Sequence, residues 1–241
     1  MKSRARISLL FGAVAVILLG FLLRTASLGR SSLWLDEVHS YKRASQDEWQ
    51  AAHAMLKSSG HAPLYEAVIL HQWMKVGTSE YVLRLPSAIV GVANIALVLA
   101  LGRALFGVQI GLLSALILAL SPLHIRYSQE LRMYTLAASL TTVAVCAYRA
   151  AAHAQSDTSR HRYWAIYVLS GSLALYTHYF TGLALVSIFA FGLTRQARRR
   201  DWGAVRRLSI GHGAIGLLFL PWLPTVWSQL QEPRLTWIPQ P

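Results

Sequence analysis

Two adjacent carboxylates, Asp36 and Glu37, follow an apolar turn soon after the first hydrophobic segment of the chain. A carboxylate next to a reacting hydroxyl group can act as a general base that removes the hydroxyl proton. Because successive side chains diverge in helices and strands alike, only one of the two is expected to reach a reacting atom. The alternative is that the pair caps a loop helix and interacts with its dipole. The two residues by themselves leave both interpretations open.

A second group of polar and aromatic residues lies between two later apolar segments. It comprises Arg126, Tyr127, Glu130, Arg132 and Tyr134. An arginine can donate to two phosphate oxygens at once, and tyrosines at the depth of the lipid headgroups can flank a lipid carrier. The alternative is an interfacial anchor with an internal Glu130–Arg132 ion pair.

Two histidines add hydrogen-bonding groups that suit phosphate or sugar hydroxyls. His61 precedes Ala-Pro-Leu-Tyr65, and His178 stands in the sequence Tyr-Thr-His-Tyr. Imidazole nitrogens can donate to such oxygens, although a single interfacial histidine is also common as a structural residue. The sequence contains no HExxH, GxSxG, GxGxxG or P-loop motif, which leaves zinc proteolysis, a serine nucleophile and nucleotide binding without support.

The composition of the chain indicates the solvent around these residues. Its 241 residues are 54% hydrophobic with a mean hydropathy of +0.40, so the lipid bilayer is predicted to be the main solvent. The formal charge of +13 comes from basic residues that punctuate the apolar segments, which argues against nucleic acid as a partner. Seven spans are predicted, at about residues 7–28, 85–105, 108–123, 133–151, 163–176, 181–193 and 208–227. The predicted fold is all-α, a polytopic transmembrane helix bundle with residues 1–241 as one domain.

The distribution of charge predicts the orientation of the spans. If residues 63–76 do not cross, the segments on one side carry 13 of the 23 basic residues but only 2 of the 10 acidic residues. The positive-inside rule makes this side cytoplasmic. The apolar segment 63–76 is also too short to cross, at about 21 Å against roughly 30 Å of hydrocarbon. The N-terminus is therefore predicted inside, and the C-terminal end and all the candidate site residues outside.

The long first outer loop, residues 29–84, is predicted to hold helices that lie on the membrane surface. Ser45 to Glu48 has the pattern of a capping box, and Gly60 suits the end of the helix that would follow. Pro63 is placed to be the first residue of a second interfacial helix, which Gly77 would end.

Six groups of residues stand in a defined order along the chain. They are Ser32-Leu-Trp-Leu-Asp36-Glu37, His61-Ala-Pro-Leu-Tyr65, Arg84-Leu-Pro-Ser87, Tyr127-Ser-Gln-Glu130-Leu-Arg132-Met-Tyr134, Tyr176-Thr-His-Tyr179, and Leu220-Pro-Trp222 with Trp237-Ile-Pro239. This ordered set resembles the family 39 glycosyltransferases, which include protein O-mannosyltransferases and the lipid A aminoarabinose transferase. The resemblance covers nearly the whole chain and implies the membrane-embedded GT-C fold and a polyprenyl-phosphate sugar donor. It also implies that the first outer loop and the loop after the third span form the site, with Asp36 as the catalytic base.

The chain departs from that family in two respects. Family members usually carry a second acid in the later loop, and Glu130 lies near its position, so it is a candidate catalytic residue beside Asp36 and Glu37. Family members also continue with further spans and a C-terminal outer domain, whereas this chain ends at Pro241. The chain is therefore expected to be an N-terminal portion or a truncated member.

These residues suit an inverting displacement without a cofactor. Asp36 is expected to deprotonate an acceptor hydroxyl on a lipid, glycan or protein, while Arg132, with His61 or Arg84, stabilises charge on the lipid phosphate. The expected substrate-binding residues are His61, Tyr65, Arg84, Tyr127, Arg132, Tyr134 and His178. No protein metal site is predicted, although carboxylates at such a site leave open a divalent cation beside the phosphate.

The sequence predicts a multi-pass protein of the plasma membrane. Two other functions are open to such a protein. A transporter or lipid flippase would need ionisable groups near the bilayer midplane or broken helices there, and the predicted spans are nearly free of charge. A non-catalytic scaffold subunit is the other alternative.

Overall fold

The protein is a bundle of α-helices, and a computed structural model describes its backbone from residue 2 to residue 231 and its side chains from residue 9. No strand occurs in that range. The helices are α1 Lys2–Thr25, α2 Leu35–Ala44, α3 Trp49–Ser59, α4 His71–Trp73, α5 Glu80–Phe106, α6 Val108–Leu120, α7 Pro122–Ser128, α8 Tyr134–Ala152, α9 Asp157–Thr177, α10 Thr181–Arg198, α11 Trp202–Phe219 and α12 Leu223–Gln231. A π-helix, Leu64–Leu70, leads into α4, and a 3-10 helix, Leu220–Trp222, joins α11 to α12. The predicted motif at Trp237 to Pro239 lies outside the described residues.

All seven apolar segments predicted as spans are helical, and the all-α membrane bundle is confirmed. By length and composition, three helices in the described range can each cross a membrane: Glu80–Phe106, Tyr134–Ala152 and Trp202–Gln231. The bent pair α6 and α7 makes a fourth span if its two parts are taken together. The total of seven spans stays a prediction, because α9, α10 and the described part of α1, Leu9–Thr25, do not reach the same criterion.

The outer surface of the bundle is apolar over most of its height. Large exposed side chains on four of its helices include Phe11, Leu22, Leu113, Ile117, Leu183, Val186, Ile210 and Leu217. Contiguous exposure of this kind is unfavourable in water and suits contact with lipid chains.

Glycines allow the closest helix contacts. A Cβ atom at Gly102 of α5 would lie 2.9 Å from the Cα of Gly111 of α6, so these helices meet backbone to backbone. On α10, a Cβ at Gly192 would lie 2.5 Å from the Tyr148 hydroxyl of α8. Small residues at such positions are how membrane helices gain packing contacts without a hydrophobic driving force.

The third predicted span, residues 108–123, breaks near its C-terminal end. α6 ends at Leu120, α7 begins at Pro122, and the two helices are bent by 63°. Proline lacks an N–H group and clashes inside a helix, so it opens a new helix here, and the Ser121 hydroxyl accepts from the His124 N–H at 3.4 Å. The carbonyl groups at the end of α6 are thereby left without helical partners.

Arg24, at the end of α1, supplies the missing donors and is fully buried. Its guanidinium donates to the carbonyl oxygens of Leu118 at 3.0 Å and Ala119 at 3.1 Å, and it contacts His124 Nδ1 at 2.9 Å. A cation at the C-terminal end of a helix also interacts favourably with the helix dipole. Sequence analysis did not single out Arg24, because the carbonyl groups it binds belong to a different helix.

The segment between α1 and α5 folds into α2, α3, the π-helix and α4, as the prediction of helices in this loop required. Gly60 ends α3 in the left-handed conformation, with φ 71° and ψ 25°, which confirms the predicted helix end. The predicted capping box is wrong, because α3 begins only at Trp49 and the Ser45 hydroxyl donates to the Lys42 carbonyl at 3.0 Å. Pro63 is the first helical residue, directly before the π-helix, which confirms its predicted place at the start of a second helix in this loop.

The two ends of the bundle differ in character. Arg132 and His178 lie at one end, where α8 begins and α9 ends, and this end is called the site end below. The 19 residues of α8 span about 28 Å at 1.5 Å per residue, so Ala152 and the start of α9 lie at the opposite end. Arg149, Arg160 and Arg195 are found there.

Cysteine labelling tests on which side of the membrane each end lies. In a Cys146→Ala background, we expect a cysteine at exposed position 47 to react with an impermeant reagent from outside. A cysteine at exposed position 157 is expected to react only after permeabilisation, because the basic residues around it favour the cytoplasmic side. Labelling of position 157 from outside intact cells would mean that residues 63–76 cross the membrane.

Candidate active site

The loop between α7 and α8 carries Arg132, and its backbone is held by residues from two other elements. The Ser87 hydroxyl of α5 donates to the Arg132 carbonyl at 3.1 Å, and the Tyr65 hydroxyl lies 2.9 Å from the same Ser87 oxygen. Tyr65 is buried, and burial raises the pKa of its hydroxyl, which therefore stays protonated. Tyr65 thus supports the Arg132 backbone through the Ser87 hydroxyl.

Arg132 is buried, with 6% of the residue exposed, and its guanidinium has few partners. Nη1 donates to the Ser40 hydroxyl at 3.1 Å and to the Asp36 carbonyl at 3.4 Å, and Nη2 lies 3.3 Å from His61 Nε2. Its Nε is buried without a hydrogen-bond partner among the described residues. A buried donor without a partner is costly, so this group is suited to receive an acceptor from a ligand.

His61 meets Arg132 as a hydrogen-bond acceptor. Its Nδ1 lies 2.9 Å from the Ser59 carbonyl, which can only accept, so the proton sits on Nδ1 and Nε2 is free to accept from Arg132. Burial lowers the pKa of His61, and the charges of Arg43 and Arg132 lower it further against the opposing effect of Glu66. The imidazole is therefore neutral near pH 7, and in this tautomer it orients the arginine.

Glu66 is the anionic centre that sequence analysis missed. This fully buried carboxylate accepts from the Ser40 hydroxyl at 2.6 Å and forms a two-pronged ion pair with Arg43, and it lies 3.9 Å from Arg132 Nη1. Burial raises the pKa of Glu66, but the hydrogen bonds and charge of Arg43 lower it by more, so Glu66 is ionised. A carboxylate inside an apolar segment was the available signal, but the sequence could not indicate its partner.

Glu37 forms a second buried ion pair, with Arg84. Its two oxygens accept from Arg84 at 2.8 and 2.6 Å, from the Leu131 N–H at 2.7 Å and from the Trp34 N–H at 3.2 Å. The other Arg84 donors bind the carbonyl groups of Leu28, Ser31 and Ser32. Burial raises the pKa of Glu37, but the Arg84 hydrogen bonds lower it by more, so the carboxylate stays ionised. Every oxygen of Glu37 is thus engaged in joining α2, α5 and the Arg132 loop.

Asp36 differs from Glu37 in the burial and in the partners of its carboxylate. Its side chain is half-buried, and no described side chain pairs with its carboxylate. It occupies the first turn of α2, and its own carbonyl accepts from Arg132 at 3.4 Å. The Asp36 side chain therefore belongs to a residue whose backbone carbonyl is hydrogen-bonded to Arg132.

A cavity of about 410 Å³ opens beside Arg132. His61, Arg132, Tyr134 and His178 all line it, so the structure brings four of the predicted binding residues together. Burial lowers the pKa of His178, as does the nearby charge of Arg132. The Arg132 guanidinium also lies 5.6 Å from the centre of the Tyr134 ring, in a cation–π contact.

A row of aromatic rings leads from this cavity to the surface. Neighbouring ring centres are 4.5 Å apart for Tyr127 and Tyr134, 5.7 Å for Tyr134 and His178, and 5.5 Å for His178 and Phe180. Phe180 is 74% exposed. Such a row offers flat apolar faces to a sugar ring or a prenyl chain.

Three of the other predicted residues line a second cavity of about 630 Å³. Glu37, Arg84 and Glu130 line it together with Arg30 and Arg126. Glu130 accepts from Arg126 Nε at 2.9 Å, so the internal Glu130–Arg132 pair considered from the sequence does not form. Asp36 lines neither cavity, but it is adjacent to Glu37 in the chain and its carbonyl accepts from Arg132.

The C-terminal helix closes the first cavity, which sequence analysis did not foresee. Gln229 of α12 donates to the His61 carbonyl at 3.0 Å, and the Tyr179 hydroxyl donates to the same carbonyl at 3.2 Å. Trp222 donates to the Tyr179 hydroxyl at 2.7 Å. Residues from both halves of the chain therefore hold His61 in place.

Three described carboxylates near Arg132 are each paired with another arginine. The carboxylates of Glu37, Glu66 and Glu130 each have an arginine of their own, namely Arg84, Arg43 and Arg126. Arg132, the arginine in the lining of the first cavity, shares Glu66 only at 3.9 Å, so its positive charge is not matched one to one among the described residues. Across the described range, no group of three or more His, Cys, Asp or Glu side chains is arranged to hold a metal ion.

The fold and this site together define a multi-pass helical membrane protein with a cationic cavity at one end of its bundle. A family model described as dolichyl-phosphate-mannose-protein mannosyltransferase matches residues 61–227. Because the match covers more than half of the chain, the chain belongs to this family and is a membrane glycosyltransferase of the GT-C type. The match begins at His61, so Asp36 and Glu37 precede the matched range. No curated protein and no solved structure matches the chain.

Proposed function

We propose that this protein transfers a sugar from a polyprenyl-phosphate carrier to an acceptor hydroxyl on the non-cytoplasmic side of the membrane. The observation that carries the proposal is Arg132, a buried arginine with an unmatched charge and an unpaired Nε at the wall of an aromatic-lined cavity. A planar guanidinium suits the phosphate of the donor because it can donate to two oxygens at once. The aromatic row from Tyr134 to Phe180 would lie along the sugar and the first prenyl units.

The reaction in this proposal is a single displacement with inversion. Asp36 takes the proton from the acceptor hydroxyl, and the oxygen attacks the anomeric carbon from the face opposite the phosphate. The bond between the anomeric carbon and the phosphate oxygen breaks, and polyprenyl phosphate leaves with its negative charge stabilised by Arg132. Neutral His61 and Ser40 hold the guanidinium in place through both states. Glu37 and Glu66 position these groups and do not touch the substrate.

Transfer by the full-length protein in proteoliposomes tests the proposal. We expect radiolabel to move from at least one polyprenyl-phosphate sugar, within a set that varies the sugar, to an added acceptor of lipid, glycan or protein type. Parallel reactions with a chelator show whether a divalent cation accompanies the phosphate. Movement of the intact donor across the bilayer without transfer would support the flippase alternative instead.

The variant Arg132→Lys tests the phosphate contact. An ammonium group cannot reproduce the planar fork, so we expect the KM for the donor to rise by about tenfold or more, the effect of losing one charged hydrogen bond. Arg126→Lys is the matched control, because the Arg126 side chain is 69% exposed and lies in α7, just before the Arg132 loop and outside the first cavity. Unchanged donor kinetics in Arg132→Lys would return Arg132 to the role of an interfacial anchor.

A further inference from the structure

The end of the bundle opposite the candidate site holds a third cavity, of about 490 Å³. It lies where α8 and α10 end and where α9 and α11 begin. Its lining includes Arg160, Arg195, Arg199, Arg207 and His153. Nothing in the proposed transfer reaction uses these residues, which lie about 28 Å away along α8.

The positive charge in this cavity is largely unmatched. Asp201 is the single acid in its lining, and one of its carboxylate oxygens accepts from the Ala204 N–H at 2.9 Å as the cap of α11. Arg160 forms an ion pair with Asp157. For Arg195, Arg199 and Arg207, no carboxylate within the described part of the chain forms an ion pair. Three guanidinium groups are therefore available to an anion.

Tyr148 adds a second, independent sign of a missing ligand. Its ring belongs to the lining of the cavity, and its hydroxyl is buried without a hydrogen-bond partner among residues 9–231. A buried hydroxyl that lacks a partner costs free energy, which a ligand oxygen at this position would recover.

The basic cavity continues into an apolar groove of about 310 Å³. Tyr148, Ala152, His153 and Arg195 line both spaces, so the two are neighbours. The other side chains of the groove are almost all hydrocarbon: Leu101, Leu105, Val145, Ile188 and Phe191. A cationic space that adjoins an apolar groove on the side of a membrane bundle matches an amphiphile with an anionic head.

We propose that this end of the bundle binds an anionic phospholipid. The phosphate lies among Arg195, Arg199 and Arg207, where planar guanidinium groups can each donate to two of its oxygens. One acyl chain lies in the groove between α5, α8 and α10. Charge complementarity favours this occupant, and under the predicted topology the cavity faces the cytoplasmic leaflet, whose anionic lipids attract clusters of basic residues.

Native mass spectrometry of the detergent-solubilised full chain tests this proposal directly. We expect phosphatidylglycerol to be retained in preference to phosphatidylcholine. The double variant Arg195→Gln/Arg199→Gln is expected to lower the retained phosphatidylglycerol by about tenfold or more, since each basic residue near a lipid surface contributes appreciably. The control Arg198→Gln/Arg206→Gln removes the same charge from exposed neighbours outside the cavity and is expected to retain the lipid within about twofold.

Two further measurements distinguish a lipid from a free phosphate. Leu105→Trp fills the groove at an exposed position of α5 and is expected to lower phosphatidylglycerol retention without changing the effect of inorganic phosphate on thermal stability. Equal lipid loss in both double variants, or equal retention of phosphatidylcholine, would overturn the proposal. Stabilisation by inorganic phosphate as strong as that by the lipid would assign the cavity to free phosphate. Melting temperatures in phosphatidylcholine micelles identify any variant that fails to fold, and the readout is independent of sugar transfer.

Discussion

Asp36→Asn is expected to lower sugar transfer by about 10² or more, with donor binding and folding retained. The change removes the proton acceptor and keeps the shape of the side chain. Because the carboxylate has no described partner and is half-buried, its loss removes only the helix-dipole interaction, at less than about 1 kcal/mol.

The measurement combines transfer from the polyprenyl donor with donor affinity and melting temperature for the same preparation. A matched variant is Asp47→Asn, which makes the same chemical change at an exposed position before α3 and should leave transfer unchanged. Near-normal turnover in Asp36→Asn would remove Asp36 as the base. Activity and stability lost together would favour a helix-capping role.

Glu37→Gln, unlike Asp36→Asn, is expected to act on folding and to destabilise the protein by about 3–5 kcal/mol. The amide leaves Arg84 as a buried charge without its carboxylate, and an amide nitrogen cannot accept from the Leu131 N–H. Thermal unfolding in detergent, followed by circular dichroism, measures the change as a lower melting temperature.

The double variant Glu37→Leu/Arg84→Met supplies the control for this ion pair. Removing both charges leaves no buried ion without a partner, so we expect the double variant to be more stable than Glu37→Gln. Equal stability of Glu37→Gln and the unchanged protein would show that water reaches Arg84. The two adjacent acids would then no longer be distinguished by their surroundings.

The opposite expectations for Asp36 and Glu37 follow from their positions on one helix. Both lie in the first turn of α2, but successive side chains point in different directions. Glu37 is buried and meets Arg84, while the Asp36 carboxylate has no partner among the described side chains. A general base needs a carboxylate that is free to bind a proton, which is why the proposed base is Asp36 and not Glu37.

The sequence by itself determined the helices and indicated four residues that share one cavity. The membrane segments were predicted from apolar runs that are longer than a helix in a soluble core requires. Each of these runs is helical. His61, Arg132, Tyr134 and His178 were predicted from residue type and topology to lie at one side, and they line one cavity. Such predictions succeed because hydrophobicity and local turn chemistry act over short stretches of chain.

Only the tertiary structure decided which charges are paired. Glu66 lies 23 residues from Arg43, and Glu37 lies 47 residues from Arg84, whereas Glu130 pairs with Arg126 only four residues away. One interpretation of the sequence paired Arg132 with Glu130, whereas Glu130 pairs with Arg126 and Arg132 lies 3.9 Å from Glu66. Pairing is decided by which side chains the packed helices bring within about 4 Å, and no local pattern carries that information. The packing of α2, α5 and the π-helix around the Arg132 loop therefore decided that Arg132 has no carboxylate of its own among the described residues.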